Sequence, residues 1–259
     1  MSEGRVMMVG AGPGPADLLT VRAAKALARA QIVLHDDLVP REVLVLCLES
    51  AQLINVGKRC GRRGTSQEQI NALMVEHARA GRTVVRLKSG DPAVFGRLGE
   101  EIDALREARI RFEVIPGVTA AAAAAAAAEI TLTDRRMASS LLIVTGHNAD
   151  QVRQRVALGV EETTIAVYMP GPDYARTARE LKELGVDPEV PCALISHAGR
   201  STQQVRFLSL EDLGSIGGVI PPAVLIVGEV TRRKQLPEVL KLLATQPAPS
   251  PVLENPACQ

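Results

Sequence analysis

Val9-Gly10-Ala11-Gly12-Pro13-Gly14-Pro15 joins a short apolar run, Arg5 to Gly10, to a segment of helical period over about Asp17 to Ala30. Strand, glycine loop and helix in that order bring backbone amides to a place where a ligand can approach them closely. A dinucleotide fingerprint needs glycines at its first, third and sixth places. Counting from Gly10, the sixth place is Pro15, whose ring would obstruct close helix packing, so a Rossmann site is disfavoured. A tight glycine turn with no ligand satisfies the same residues, and the decision rests on the chain further along.

Outward from that loop, β-branched or apolar runs alternate with stretches of helical period, the pattern of α/β architecture. Strands are expected at Gln31 to Leu34, Gln52 to Val56, Thr83 to Leu87 and Arg111 to Ile115. Helices are expected near Arg41 to Leu48, from a capping box of Ser66 and Gln69 to near Gly81, and over Arg97 to Arg109. A second alternation runs through Leu141 to Val144, Thr164 to Met169, the helix Tyr174 to Leu184, Cys192 to Ile195 and Ala223 to Val227. The fold class predicted is α/β: two α/β lobes with mostly parallel sheets and an interlobe cleft. Residues 1–116 form the first lobe, 117–137 a connecting helix and loop holding the nine alanines Ala120 to Ala128, and 138–245 the second lobe. A terminal helix is expected to end near Ala244, and the proline-rich residues 246–259 after it are expected to be a flexible tail.

Composition narrows the function. The 259 residues carry 30 basic and 29 acidic side chains, a net charge of +1, so no overall field draws the protein to nucleic acid or anionic lipid. With no Trp, two Tyr and three Phe, stacking platforms for single strands are scarce. Cys47, Cys60, Cys192 and Cys258 form none of the paired spacings of a metal or redox site. No export signal or membrane span is visible. The expectation is a cytoplasmic protein with no metal, no nucleic-acid partner and no membrane partner.

A second loop, Arg86-Leu87-Lys88-Ser89-Gly90-Asp91-Pro92-Ala93-Val94-Phe95-Gly96-Arg97, lies at the carboxyl end of a predicted strand, where open α/β sheets bind ligands. Small residues closed by Asp and Pro leave carbonyls and amides open to a ligand with an amino-acid end and a nucleoside. A type I turn started by Asp91-Pro92 is the plainer alternative. Taken in order and spacing, several segments resemble the tetrapyrrole methylase family over nearly the whole chain. They are the glycine-proline loop with Leu18-Leu19-Thr20, His35-Asp36-Asp37-Leu38-Val39, Val56-Gly57-Lys58-Arg59, Arg86 to Glu101, Pro116-Gly117-Val118-Thr119-Ala120, Leu132-Thr133-Asp134-Arg135, Val144-Thr145-Gly146-His147 and Tyr168-Met169.

The resemblance implies a two-lobed enzyme, a homodimer, that binds S-adenosyl-L-methionine in the cleft and methylates uroporphyrinogen III at C2 and C7 to give precorrin-2. By motif position, cofactor contacts fall on Pro13, Ser89, Gly90, Asp91, Val94, Thr119, Ala120, Met169 and Ala198, mostly through backbone atoms. The family's proton acceptor and donor fall on Asp36 and Lys58, and substrate-binding or catalytic roles on Arg97, Glu100 and Arg135. Attack of a carbon nucleophile on a sulfonium methyl needs alignment and proton removal, with no metal or covalent intermediate. The eight carboxylates of uroporphyrinogen call for local arginines, and Arg59, Arg62, Arg63, Arg97, Arg135 and Arg136 sit in or beside the motifs. Ser89 and Leu98 replace usual glycines, Ala93 a usual Phe, and His35 and Asp37 a usual Tyr and Arg; Arg41 is a candidate to compensate. No dehydrogenase or chelatase segment is read before the first strand, so an unfused methyltransferase is expected. Two alternatives stay open: a later precorrin or cobalt-precorrin methyltransferase, and a non-methylating nucleotide-binding module.

Overall fold

A computed structural model describes residues 4–57, 65–146 and 162–232. Its first sheet contains β1 (Arg5–Gly10), β2 (Ile32–His35), β3 (Gln52–Asn55), β4 (Thr83–Lys88) and β5 (Arg111–Ile115) in the order β3-β2-β4-β1-β5. Every pairing in it is parallel. Because both faces are covered, β1 reads as a continuous apolar run. Val6 and Met8 pack with Ile70 and Met74 of α3 (Gln67–Arg79) and Leu105 of α4 (Leu98–Glu107). Met7 and Val9 point the other way, toward Ala23 and Leu27 of α1 (Val21–Leu27) and Val43 of α2 (Arg41–Leu44).

Local chemistry sets the helix ends. The α3 capping box forms as predicted: the Ser66 hydroxyl accepts from the Gln69 amide at 3.2 Å, and the Gln69 side chain accepts from the Ser66 amide at 2.8 Å. The helix expected over Asp17 to Ala30 is instead a 3-10 turn, Ala16–Leu18, followed by α1. Thr20 separates them, its hydroxyl accepting from the Ala23 amide at 3.1 Å as the α1 N-cap. The helix expected over Arg41 to Leu48 closes after Leu44.

The second sheet holds β6 (Ser140–Thr145), β7 (Thr163–Tyr168), β8 (Pro191–Ser196), β9 (Gln204–Ser209) and β10 (Ala223–Val227) in the order β6-β7-β10-β8-β9. Only β6 and β7 pair in parallel; the β7–β10, β10–β8 and β8–β9 pairs are antiparallel. The mostly parallel character expected of both sheets therefore holds in the first and gives way in the second. The connection from β8 to β9 is too short to carry a crossover helix, so the chain turns back beside itself. One face of this sheet packs on α6 (Tyr174–Glu183) through Ala178 and Leu181. The other packs on α5 (Ala120–Ala127), where Ala124 and Ala125 meet Ala193, Ile195, Val224 and Ile226. The expected helix ending near Ala244 and the proline-rich tail lie outside the described residues.

Candidate active site

Loops from the carboxyl ends of all five parallel strands line one cavity of about 390 Å³, the position at which open α/β sheets bind ligands. The opposite wall comes from the second sheet: Tyr168 and Met169 at the end of β7, Ile195 within β8 and Ala198 after it, and Pro222 to Val224 entering β10. Since β10 runs antiparallel to β7 and β8, its first residues stand beside their last ones.

Glycines let three backbones meet at the floor. Gly12 and Gly90 exchange backbone hydrogen bonds, N to O at 3.2 and 2.8 Å. A Cβ on Gly10 would lie 2.6 Å from the Gly117 nitrogen, and one on Gly117 2.3 Å from the Gly90 carbonyl oxygen. No side chain fits between β1, β4 and β5 there, and this close approach explains the glycines that the sequence shows. Asp91 ties the same loops, accepting from the Ala93 amide at 2.8 Å and from the Gly117 amide at 3.0 Å.

Behind this floor lies a buried charge cluster. Arg86 on β4 is 3% exposed, and its guanidinium donates to Asp36 Oδ1 at 2.6 Å and to Glu101 Oε1 at 2.8 Å. Lys88, two residues on, donates to Glu101 Oε2 at 2.6 Å. Gln67 donates to Glu101 Oε1 at 3.3 Å, and Asp36 Oδ2 accepts from the Ser89 amide at 3.3 Å. Burial works against the Arg86 charge, but Asp36 and Glu101 outweigh it and hold the guanidinium above its ordinary value. For Lys88, burial and then the neighbouring Arg86 prevail over Glu101 and push the ammonium below its ordinary value.

Most residues singled out in the sequence converge here. Pro13, Asp36, Ser89, Gly90, Asp91, Val94, Arg97, Thr119, Ala120, Met169 and Ala198 all line the cavity. Glu100 does not; it is exposed on α4 and accepts from Arg97 at 2.7 and 2.6 Å. That contact raises the Arg97 guanidinium and lowers the Glu100 carboxyl. Arg135 is exposed, in the turn that pairs Asp134 with Ala138, and is not among the lining residues, and Lys58, Arg59, Arg62, Arg63, Cys60 and His147 fall outside the described residues. Phe95, Arg97 and Met169 line the cavity with φ of 51°, 53° and 48°, left-handed values that side chains rarely adopt and that cluster at functional sites.

Sequence reasoning did not assign roles to Arg86, Lys88, Glu101, Tyr168 or Arg200. Tyr168 joins the two walls: its hydroxyl accepts from the Ala121 amide at 2.8 Å and pairs with the Thr119 hydroxyl, while its ring lies 5.4 Å from that of Phe95. A signal existed for the cations, since Arg86 and Lys88 interrupt an otherwise apolar central strand, TVVRLK, where unpaired charges are costly. Ser89 Oγ and Arg200 Nε, on residues that line the cavity, are buried without a hydrogen-bond partner.

Residues 5–214 match the model of the family described as Tetrapyrrole (Corrin/Porphyrin) Methylases. The chain is 41% identical over 235 residues to the uroporphyrinogen-III C-methyltransferase of Methanocaldococcus jannaschii, covering 88% of this chain and 96% of that protein. It is 45% identical over 235 residues to siroheme synthase 1 of Klebsiella pneumoniae, covering 90% of this chain and 50% of that protein, so it spans about half the length of such relatives. Uroporphyrin-III C-methyltransferase of Thermus thermophilus, solved in complex with S-adenosylhomocysteine, matches with a TM-score of 0.75 and 38% identity over 88% of this chain and 98% of that one. The family match over most of the chain, the identity to a relative covered almost end to end and the shared fold place the chain in the tetrapyrrole methylase family.

Proposed function

We propose that the protein is an S-adenosyl-L-methionine-dependent C-methyltransferase that methylates uroporphyrinogen III at C2 and C7 to give precorrin-2. One observation carries the reading: residues matched to the family's cofactor contacts, drawn from both sheets, line a single cavity. The glycine floor and the unpartnered Ser89 hydroxyl suit an amino-acid and nucleoside ligand. Leu38, Phe95 and Met169 are 52%, 43% and 42% exposed and all line the cavity, which suits a broad apolar macrocycle. When bound, the sulfonium supplies an electrophilic methyl group.

The chain's own work is alignment and proton handling. Asp36 is the proton acceptor in this reading; Arg86 and the Ser89 amide each occupy one lone pair of its carboxylate and fix its direction, leaving further lone pairs for a ring proton. Lys58 is the proton donor. Glu100 holds Arg97 against the cavity, and Arg97 and Arg135 take substrate carboxylates. Residues 1–116 and 138–245 act as the two lobes, joined by 117–137. The protein acts as a cytoplasmic homodimer: Val45, Leu46, Leu48 and Leu53 are exposed on and beside the edge strand β3, an apolar surface suited to a second copy. Among the described residues no helix is long and apolar enough to cross a membrane. Nucleic acid, membrane and metal have no part in this reading.

Anaerobic incubation of the purified protein with S-adenosyl-L-methionine and fresh uroporphyrinogen III tests it by mass spectrometry of the product. Two methyl transfers are expected, and Asp36→Asn should bind S-adenosylhomocysteine normally while turning over at least ~100-fold more slowly. Methylation only of an already modified corrinoid ring would reassign the substrate. Unchanged turnover in Asp36→Asn would remove that carboxylate from the mechanism.

A further inference from the structure

Among the described residues, four cationic side chains line the cavity, and their partners divide them. Arg86 is held by Asp36 and Glu101, Lys88 by Glu101, and Arg97 by Glu100, all carboxylates of the protein itself. Arg200 has none. Its Nη2 donates to two neutral carbonyl oxygens, those of Pro13 and Leu38, each at 3.3 Å, and its Nε is buried with no partner.

Its placement is as informative as its partners. Arg200 belongs to the connection between β8 and β9 of the second sheet, whereas Pro13 and Leu38 follow β1 and β2 of the first, so the side chain spans the cleft. It lies against Gly14, where a Cβ would come within 2.4 Å of Nε; the glycine loop thus leaves room for a guanidinium as well as for a ligand. The facing loop after β2 lines the cavity with Asp36, Asp37 and Leu38 and adds no cation. An Nε–H withdrawn from water without an acceptor, on a cation that forms no ion pair among the described residues, loses hydration without a return unless an anion arrives.

We infer that Arg200 is a carboxylate-binding residue of this cavity, which receives a ligand carboxylate at Nε and its remaining Nη hydrogens while Nη2 keeps the two lobes in register. The inference rests on the proposed function, in which both ligands are carboxylates: the methyl donor through its amino-acid end and the tetrapyrrole through its side chains. A planar fork suits either source.

Binding measurements on full-length protein separate the sources and need no turnover. Wild type, Arg200→Gln and Arg200→Lys are titrated calorimetrically with S-adenosylhomocysteine and fluorimetrically with uroporphyrin III. Glutamine can still donate to the Pro13 and Leu38 carbonyls but carries no charge. In Arg200→Gln, one dissociation constant should rise roughly 10- to 100-fold, the equivalent of a charge-assisted hydrogen bond, with Arg200→Lys recovering part of the loss. A rise for S-adenosylhomocysteine assigns the carboxylate to the methyl donor, and a rise for uroporphyrin III assigns it to the substrate. Both constants within about twofold of wild type in Arg200→Gln, or equal losses in the two variants, would overturn the inference and leave Arg200 a clasp between lobes. Wild-type protein that binds neither ligand would overturn the functional reading itself, and this assignment with it.

Discussion

Arg86, Lys88 and Glu101 show how a residue's meaning depends on partners far away in the chain. Within TVVRLK the two cations resemble the solvent side of a strand, yet they are 3% and 2% exposed, because Glu101 arrives from α4 at 0% exposure and Asp36 from the loop after β2. Burying three charges is tolerable only while each is paired. Replacing Glu101 with Gln leaves Arg86 with one acid and Lys88 with none, and should destabilise the fold by about 3–5 kcal/mol in urea denaturation; a loss below ~1 kcal/mol would show the cluster to be energetically idle. Cys192 makes a separate, pH-dependent case. At 0% exposure in the middle of the second sheet, burial pushes its thiol from 9.0 up to about 12. The folded protein keeps the proton that the unfolded chain releases, so this contribution to stability is intact below 9.0 and is lost as pH rises toward about 12. In the Cys192→Ala variant the decline of stability with alkaline pH should be shallower than in wild type; parallel declines would contradict the assignment.

Among the elements, those with a local chemical signature were legible and those shaped by context were not. Ser66 and Gln69 announce the start of α3, and both reciprocal bonds form. Ser66→Ala should therefore cost about 1 kcal/mol, read as a lower thermal or urea midpoint, and an unchanged midpoint would mean that the cap is redundant. The alanine tract forms a helix as its propensity demands, and its small side chains allow the contact with Ala193 and Val224 that larger ones would prevent. By contrast, β9 went unread: Val205 and Phe207 alternate with Gln204 and Arg206, but Leu208 breaks the period and the flanking residues are polar. Nor does Pro-Ala-Asp-Leu after the glycine loop announce a 3-10 turn, since propensity alone cannot separate that turn from the first turn of a helix.

For the molecule as a whole, the sequence predicts two sheets and a cleft from the double alternation, and the loops at the carboxyl ends of the first sheet are where parallel topology places a ligand. The direction of the second sheet could not be read that way, because strand pairing depends on connection length and on neighbours that no local pattern encodes. Site residues carried by motifs, such as Pro13, Asp91 and Thr119, meet in the cavity, whereas Arg200 and Tyr168 become meaningful only once the two walls face each other. The claim on which mechanism and substrate both depend is that the sulfonium ligand occupies this cleft. A crystal structure of the protein soaked with S-adenosylhomocysteine tests it most directly: the account predicts density for the ligand against Pro13, the Ser89–Asp91 loop, Thr119 and Met169, and an empty cleft with the ligand bound on another face would contradict it.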